Sequence, residues 1–359
     1  SIARSHADIT MKNHFRPDYS CYHVVSYDTI TGKPDHKGTY QGYADDSDWS
    51  RGQGWALYGY VMMYRETKEK KYLEHAIQVA KFIINHPQLP EDKIPYWDFD
   101  DPDIPDTPRD ASAGAVIASA LIELSQYTKG RFSKECLSVA ETQLRNLSSS
   151  KYLAEPGTNC DFILKHSVGN KPKKKEVDVP LTYADYYYVE ALLRYKKDIL
   201  KEIVLASDKN VKKRKFATGL SSVMAVIMLI YTILCFMNSR IGYGIIGLLF
   251  SVFFIWIIIN GANTFQKKVI NIVHSKMDNK LTSGKREYCF DTDGVAVSSD
   301  IGNGTNHWNA FKCWGIFRNY IYIRTIKNEM VLVNQNDLSE NDVKELKSLL
   351  SQNLKEETL

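Results

Sequence analysis

The residues best suited to chemistry in this chain lie in the stretch Thr39–Tyr60. Its sequence, TYQGYADDSDWSRGQGWALYGY, combines amides, carboxylates, a guanidinium and aromatic rings. This mixture is typical of a sugar site, because aromatic faces stack on the C–H surface of a sugar ring while polar groups bond its hydroxyl and acid groups. Gly52 and Gly54 flank Gln53 just before an apolar run, so the polar cluster is predicted to lie where a loop enters a helix.

The elements that must position this stretch are helices separated by loops rich in aspartate and aromatic residues. Asp110 is predicted to cap the third helix, whose many alanines allow close packing. Paired helices with polar loops at one end indicate a mainly α fold, an α/α toroid. A short hairpin is predicted between Tyr22–Tyr27 and Gly38–Tyr43, and no other segment of this part shows strand alternation. The predicted helices are Gly54–Arg65, Lys70–Asn85, Asp110–Tyr127, Ser133–Ser148 and Tyr183–Leu200.

Two apolar runs, Phe216–Met237 and Ile241–Ile259, follow the helical part. Each approaches the ~20 residues that a bilayer crossing needs, so they predict a two-helix transmembrane hairpin that contacts the lipid bilayer. A buried helical hairpin in a soluble core is the alternative. Basic residues flank both outer ends, which predicts cytoplasmic termini and an external turn. The flanking residues are Lys212, Lys213, Arg214, Lys215, Lys267 and Lys268.

The remaining residues predict a small α+β domain at 264–359, with a basic linker at 200–215 and the helical part at 1–199. A helix over Ser339–Gln352 carries one apolar face and closes an antiparallel sheet. That face consists of Val343, Leu346, Leu349 and Leu350. The predicted strands are Arg286–Asp291, Gly294–Ser299, Gly304–Asn309, Lys312–Phe317, Tyr320–Arg324 and Met330–Asn334.

Composition limits the other possibilities. The net charge of +4 is not arranged as a basic stripe with interleaved aromatics, so we expect no nucleic-acid binding. The six cysteines have no paired spacing, which argues against a disulfide framework or a zinc site and favours a reducing compartment. We expect neither a metal nor another cofactor. The chain begins with Ser1, and its opening segment SIARSHADIT has no apolar stretch typical of a signal peptide, so we expect the sequence to be the middle of something longer. An artificial boundary, a truncated reading frame and an assembly artefact are the alternative origins of this start.

Four motifs occur in an order that resembles the second half of glycoside hydrolase family 88, the unsaturated glucuronyl hydrolases, over about residues 1–197. They are SHADITMKNHFRPDYSCYHVVSYDTITG, QGYADDSDWSRGQGWALYGY, IPYWDFDDPDIPDTPRDASAGAVIASALIEL and HSVGNKPKKKEVDVPLTYADYYYVEALLRY. The resemblance implies an (α/α)6 barrel, of which this chain would hold a part. It also implies hydration of the 4,5 double bond of an unsaturated uronic acid at the non-reducing end of lyase-derived oligosaccharides. In that reaction a carboxyl with a tuned pKa protonates C4 and water adds at C5.

The resemblance carries four substrate-binding residues onto this sequence. Arg51 would pair with the uronate carboxylate, and Trp55 would stack on the flattened ring. Gln41 and His23 would bond hydroxyl groups or position water. The alternatives are a core aromatic role for Trp55 and a structural role for His23.

A second group lies in a predicted loop near the distal sugar of the substrate. Together with Lys173–Lys175 it would contact a sulfate or carboxylate, and a charged surface loop is the alternative. The group consists of His166 and the three residues assigned to substrate binding, Ser167, Asn170 and Lys171.

The resemblance assigns no catalytic residue to this chain, because the two catalytic aspartates of the family lie on motifs upstream of the matched region. We therefore expect little or no hydrolase activity from the chain alone. Asp45, Asp46 and Asp48 are instead predicted to form a solvated acidic loop with helix-capping duty. Helix faces that would meet the rest of a toroid are expected to be exposed, which predicts instability, aggregation or obligate pairing.

The C-terminal part resembles the YcxB-like family, which places a two-helix hairpin before a small sheet-plus-helix domain. The resemblance is carried by Phe290, Asp293, Gly294, Trp308 and Phe311 and by the closing LSENDVKELKSLLSQNL. It implies no established activity. The chain is thus interpreted as a fusion. The alternatives to a hydrolase are a membrane-tethered, non-catalytic carbohydrate-binding protein and a YcxB-like regulatory membrane protein.

Overall fold

The computed structural model describes residues 2–206, 208–275, 286–299, 302–327 and 329–357. It divides into two compact units, Ser1–Lys196 and Lys197–Leu359. The first unit is mainly helical. The second contains two long apolar helices and a small domain with β-sheets.

The first unit is built around one buried helix, α4 (Ala111–Tyr127), whose residues from Ala111 to Ser125 are all buried. Its alanines let α2 and α5 pack closely against it. The predicted cap at Asp110 is confirmed, since its carboxylate accepts a hydrogen bond from Ser112 N at 3.0 Å. The other elements are α1 (Ile2–Asn13), β1 (Val24–Tyr27), β2 (Pro34–Gly38), α2 (Ser50–Thr67), α3 (Lys70–Ile84), α5 (Gly130–Leu147), β3 (Ser167–Asn170), β4 (Lys175–Val179) and α6 (Thr182–Ala206).

Helix α2 begins four residues before its predicted start at Gly54. Ser50 fixes the beginning, because its hydroxyl donates to the Tyr96 carbonyl at 2.6 Å. The two glycines lie inside the helix and serve close packing. A Cβ on Gly52 would lie 2.8 Å from the Trp49 ring, and one on Gly54 would lie 3.2 Å from Ile117 of α4. The polar cluster therefore occupies the first turn of α2.

The first hairpin has a different second strand from the predicted one. Val24 pairs with Gly38, and β2 runs back from there to Pro34. Residues 39–43, predicted as strand, form a loop in which the Tyr40 and Gln41 amides donate to the His23 side chain. The prediction was wrong because these amides bond a side chain instead of a neighbouring strand.

A second hairpin, β3–β4, was not predicted. Ser167–Asn170 pairs with Lys175–Val179 in an antiparallel arrangement with one irregularity. Glu176 and Asp178 adopt positive φ angles of 53° and 57°, which residues other than glycine rarely do. Such a strand does not alternate its side chains regularly, so sequence alternation gives no signal for it.

The second unit begins with two apolar helices, α7 (Asp208–Met237) and α8 (Ile241–Ser275). Their segments Lys215–Met237 and Ile241–Ile259 are long and apolar enough to cross a membrane. Small and polar residues face inward between them. A Cβ on Gly247 would lie 2.5 Å from the Thr232 hydroxyl, so glycine permits the close approach of α7 and α8.

The C-terminal domain contains a sheet of order β5-β6-β7 and a sheet of order β10-β9-β8-β11. The helix α9 (Glu340–Asn353) follows, with a capping box between Ser339 and Asp342. Trp314 of β8 and Leu350 of α9 belong to the apolar core of this domain. The strands are β5 (Arg286–Phe290), β6 (Gly294–Ser299), β7 (Gly302–His307), β8 (Phe311–Phe317), β9 (Tyr320–Thr325), β10 (Met330–Asn334) and β11 (Lys355–Glu356).

A buried histidine in the first unit should make its stability depend on pH. His75 of α3 is 6% exposed, and the rings of Phe15 and Tyr60 lie 4.2 and 4.4 Å away, centroid to centroid. Its Nε2 has no hydrogen-bond partner among the described residues. Burial lowers the pKa of His75 from 6.5 to about 4.

We expect the free energy of unfolding to fall as the pH drops from 6.5 toward 4, since the unfolded chain binds a proton that the folded chain resists. A His75→Phe variant should lose less stability than the wild type between pH 7 and pH 5. Denaturant unfolding at both pH values measures this, with His6→Phe at an exposed position as the control. Equal losses for the wild type and His75→Phe would contradict the assignment.

Candidate sugar-binding site

The site is organised by a buried ion pair between two helix N-termini. Arg51 lies in the first turn of α2, and Asp110 caps α4. Arg51 Nη1 donates to Asp110 Oδ2 at 2.7 Å, and the two side chains are only 2% and 0% exposed. Removing two charges from water costs free energy that only close pairing and further hydrogen bonds offset. The remaining polar atoms of both side chains therefore need partners.

Those partners come from the backbone of β3. Arg51 Nη1 also donates to the Val168 carbonyl, and Nη2 donates to the Gly169 carbonyl at 2.9 Å. Val168 N donates weakly to Asp110 Oδ1 at 3.4 Å. Gln41 Nε2 donates to the same Gly169 carbonyl at 2.9 Å. The ion pair and Gln41 thus hold β3 against the helix ends.

His23 lies on the other side of Gln41 as a neutral ring. Its Nδ1 accepts hydrogen bonds from the backbone amides of Tyr40 at 3.1 Å and Gln41 at 3.3 Å. Because Nδ1 accepts, the proton of the neutral imidazole lies on Nε2. The ring packs on Trp49 at 4.2 Å between centroids. Burial, helped by the positive charge of Arg51, lowers the pKa of His23 to about 4, so it is neutral at pH 7.

Aromatic rings of α2 and α6 line the adjoining surface. Trp55 lies 5.1 Å from Tyr187 and 6.2 Å from Tyr183, centroid to centroid. Tyr58 continues the row at 5.0 Å from Tyr187. The Arg51 guanidinium lies 5.5 Å from the centre of the Tyr183 ring. We call these half-buried rings, Trp55, Tyr58, Tyr183 and Tyr187, the aromatic wall. The aromatic wall reaches the ion pair through Tyr183.

The structure therefore brings together the four residues first assigned to substrate binding, His23, Gln41, Arg51 and Trp55. The guanidinium of Arg51 is occupied by Asp110 and by backbone carbonyls, whereas the resemblance had assigned it to a uronate. The hydrogen bonds of the Arg51 guanidinium therefore suit a role in holding β3 in place.

Within the second group, Ser167 and Asn170 lie on β3, so the prediction of a loop is wrong for these two residues, whereas His166 lies just before the strand and Lys171 lies in the turn after it. Ser167 is fully buried, and its hydroxyl has no hydrogen-bond partner among the described residues. Asn170 is 8% exposed, and its side-chain oxygen accepts from Lys173 N at 3.2 Å. His166 pairs with Asp178 across the hairpin at 2.6 Å.

Lys171 fastens the hairpin to a neighbouring loop. Its ammonium donates to Asp101 Oδ2 at 2.6 Å and to the Thr107 hydroxyl at 2.9 Å. Burial opposes ionisation of Asp101, but hydrogen bonds from Lys171, Thr107 and others outweigh it and lower the pKa to about 2. The Lys171 side chain remains 27% exposed. This cation thus lies at the edge of the site with part of its surface open.

The acidic residues of the central stretch have separate structural roles. Asp48 was predicted to be solvated, but it is 14% exposed and pairs with Arg16 at 2.8 Å. Burial raises the pKa of Asp48 to about 7, against the opposing charge of Arg16. Trp49 is the N-cap residue of α2 and has no side-chain cap hydrogen bond, so the predicted capping duty is wrong too. Asp45 stays exposed and accepts from Thr39 N at 2.9 Å.

An unsaturated glucuronyl hydrolase from Formosa agariphila is 50% identical over 201 residues, which cover 56% of this chain and 50% of that protein. An unsaturated chondroitin disaccharide hydrolase from Streptococcus agalactiae is 35% identical over 204 residues, covering 55% and 49%. The crystal structure of an unsaturated glucuronyl hydrolase specific for heparin matches with a TM-score of 0.53 and 56% identity, covering 54% and 52%.

About 55% of this chain is homologous to the unsaturated glucuronyl hydrolases. The chain spans about half the length of the curated relatives it matches. Residues 290–350 match the family model described as YcxB-like protein. Both resemblances, and the fusion of the two, are confirmed. Among the described residues, no group of three or more His, Cys, Asp or Glu side chains could hold a metal ion.

Sequence reasoning missed three features of this glucuronyl hydrolase-like site. It assigned Asp110 to helix capping alone, although one carboxylate oxygen caps α4 while the other binds Arg51. It did not place Trp49 beside His23. It also did not include Tyr183 and Tyr187 of α6 among the candidate site residues. The cluster of tyrosines was the available signal, because aromatic residues at helical spacing beside Trp55 suit a sugar surface.

Removing the charge of Asp110 should destabilise the protein strongly. In Asp110→Asn, Arg51 stays buried without an opposing charge, which costs about 3–5 kcal/mol of unfolding free energy. Denaturant unfolding of the full chain in neutral detergent, followed by tryptophan fluorescence, measures the loss. Asp103→Asn, at an exposed carboxylate of the neighbouring loop, should change stability by no more than about 0.5 kcal/mol. Equal effects of the two variants would disprove the central role of the ion pair.

Proposed function

We propose that the first unit binds the unsaturated uronic acid of glycosaminoglycan oligosaccharides, as the substrate-binding part of an unsaturated glucuronyl hydrolase site. The observation that carries this proposal is the convergence of His23, Gln41 and Trp55 around the strand held by Arg51 and Asp110. Trp55 packs against an apolar cluster that includes Val168 of that strand. The homologous proteins support the substrate class, since one is an unsaturated glucuronyl hydrolase and another an unsaturated chondroitin disaccharide hydrolase.

Each side chain has a role that its chemistry allows. Trp55 and the aromatic wall stack on the flattened unsaturated ring. The Nε2–H of neutral His23 donates to a hydroxyl or carboxylate oxygen, because Nδ1 is already an acceptor. The side-chain oxygen of Gln41 accepts from a sugar hydroxyl while its nitrogen holds Gly169. Arg51 positions β3, and direct pairing with the uronate would require it to give up Asp110.

The distal sugar extends along β3 in this proposal. Lys171 can bind Asp101 and a sulfate or carboxylate of the ligand at the same time, since 27% of its side chain is exposed. Asn170 lies next to it in the chain. Ser167 carries a buried hydroxyl without a partner among the described residues, which a ligand group or a water molecule would satisfy.

We assign no catalytic acid within the chain, and we propose that the chain alone turns over little or no substrate. Three carboxyls near the site are already committed to structural partners. Asp110 binds Arg51, Asp101 binds Lys171, and Asp98 accepts from the Tyr43 amide at 2.8 Å. In the family reaction, a carboxyl must be free to deliver a proton to the double bond.

The second candidate function concerns the membrane. We infer that α7 and α8 cross a lipid bilayer as a hairpin, with both termini in the cytoplasm. Only 22% and 17% of the residues in their apolar windows are buried, whereas core helices of a soluble protein would be mostly buried. The basic residues that flank both outer ends of the hairpin favour this orientation. A sugar-binding unit would then be tethered at the cytoplasmic face, as a non-catalytic carbohydrate-binding protein or a YcxB-like regulatory protein.

Sugar binding is tested directly by titration calorimetry. The full chain in neutral detergent should bind an unsaturated chondroitin disaccharide, and Trp55→Ala should weaken binding about tenfold, as expected for the loss of one stacking face. Tyr64→Ala, at another aromatic residue of α2, is the matched control and should leave affinity unchanged. Loss of the ultraviolet absorbance of the conjugated double bond reports turnover.

Binding without turnover is the expected result. Absence of binding by the wild type would refute the proposed function. Rapid loss of the absorbance would refute the statement that this chain lacks a catalytic acid, while leaving the binding site intact.

Membrane integration is tested by alkaline carbonate extraction of isolated membranes. The wild type should remain in the membrane fraction. Leu229→Arg, at an outward-facing position that is 47% exposed, should lower the integrated fraction, because a charge at the centre of a span costs about 2.5–3.5 kcal/mol. Asn238→Arg in the turn should have no such effect. Release of the wild type by carbonate would show that α7 and α8 do not span the bilayer.

A further inference from the structure

The C-terminal domain contains a cleft that the proposed function does not use. It has a volume of about 610 Å³ and opens between residues 288–290 of β5 and 332–334 of β10. Leu346 and Leu349 of α9 contribute to its lining. We call it the acidic cleft, because three carboxylates also line it, Asp337, Asp342 and Glu345.

Both walls of the acidic cleft are edges of sheets. Among the described residues, β5 pairs only with β6, and β10 pairs only with β9. A strand at a sheet edge presents a row of backbone N–H and C=O groups without strand partners. Such an edge can accept an extended peptide as an additional strand, with main-chain hydrogen bonds supplying affinity. The five residues of β10, Met330–Asn334, are all half-buried.

The charge of the cleft favours a basic occupant. None of the described residues that line it is basic, while three are acidic. Asp342 is partly engaged in the capping box with Ser339, and Asp337 accepts from Asn334 Nδ2 at 3.2 Å. Neither contact neutralises a carboxylate. A concave site whose charged groups all have the same sign attracts ligands of the opposite charge.

The apolar part of the cleft suits alternate side chains of a strand. Tyr288 and Phe290 of β5 stack at 6.5 Å between centroids and are only partly buried. Leu349 is also partly buried beside them. Because successive side chains of a strand point to opposite faces, one set would contact Tyr288 and Phe290 of β5 and the other would meet Asp342 and Glu345 of α9.

We propose that the acidic cleft binds an extended segment of another protein, which adds to the edge of β10 and alternates basic with apolar side chains. This inference rests on the C-terminal domain alone, so its failure would leave the proposed sugar site untouched.

The test uses two matched peptides, acetyl-(Lys-Val)3-amide and acetyl-(Glu-Val)3-amide, with the full chain in neutral detergent. Cys289 lines the cleft and is exposed, so its alkylation rate reports occupancy. The variant Cys160→Ser removes the other exposed described thiol and serves as the background. The Lys-Val peptide should bind saturably, measured by fluorescence anisotropy, and should slow Cys289 alkylation at least fivefold. The Glu-Val peptide should do neither.

Two charge reversals on α9 make the result specific. Glu345→Lys should weaken binding of the Lys-Val peptide at least tenfold. Glu340→Lys is the control, because Glu340 is exposed on the same helix and does not line the cleft. It should change binding less than twofold. Circular dichroism establishes that both variants are folded.

Several results would overturn the proposal. Equal binding of the two peptides, no binding of either, or equal effects of the two charge reversals would each do so. Slow alkylation of Cys289 without any peptide would mean that the chain fills its own cleft. Protection of Cys289 that increases with protein concentration would identify a second copy as the occupant, and this too would contradict the proposed partner.

Discussion

The first unit depends on one buried ion pair, between Arg51 at the start of α2 and Asp110 at the start of α4. Neither charge is tolerable in the interior without the other, and together they still leave polar atoms to satisfy. The backbone of β3 supplies those partners through the Val168 and Gly169 carbonyls. Three elements far apart in the chain are therefore fixed at one point.

The proposed sugar site follows from that constraint. With β3 fixed, Gln41 can bind Gly169, and its own amide can bind His23. Trp55 lies one helical turn beyond Arg51, so the aromatic wall begins where the ion pair ends. Gly54 of α2 keeps this helix close to α4. In this account Arg51 acts through the structure it holds, and the groups proposed to touch the sugar are its neighbours.

Sequence patterns predicted the elements whose side chains follow a regular period. The strands Gly294–Ser299 and Met330–Asn334 lie where alternation placed them, and Asp110 caps its helix as expected. Sequence patterns could not predict β4, because positive φ angles disrupt the alternation of its side chains. They also could not predict the first turn of α2, because its glycines resemble a helix boundary. Motif resemblance found Arg51 but not its partner, since pairing across 59 residues leaves no local signal.

The two homologous parts of this chain have separate proposed functions, and the central proposal concerns the sugar site. A crystal structure of the chain with an unsaturated chondroitin disaccharide tests it most directly. The account predicts the uronic acid ring against Trp55, a hydrogen bond from His23 Nε2, and Arg51 still paired with Asp110. An Arg51 guanidinium that has left Asp110 to bind the uronate carboxylate would contradict it.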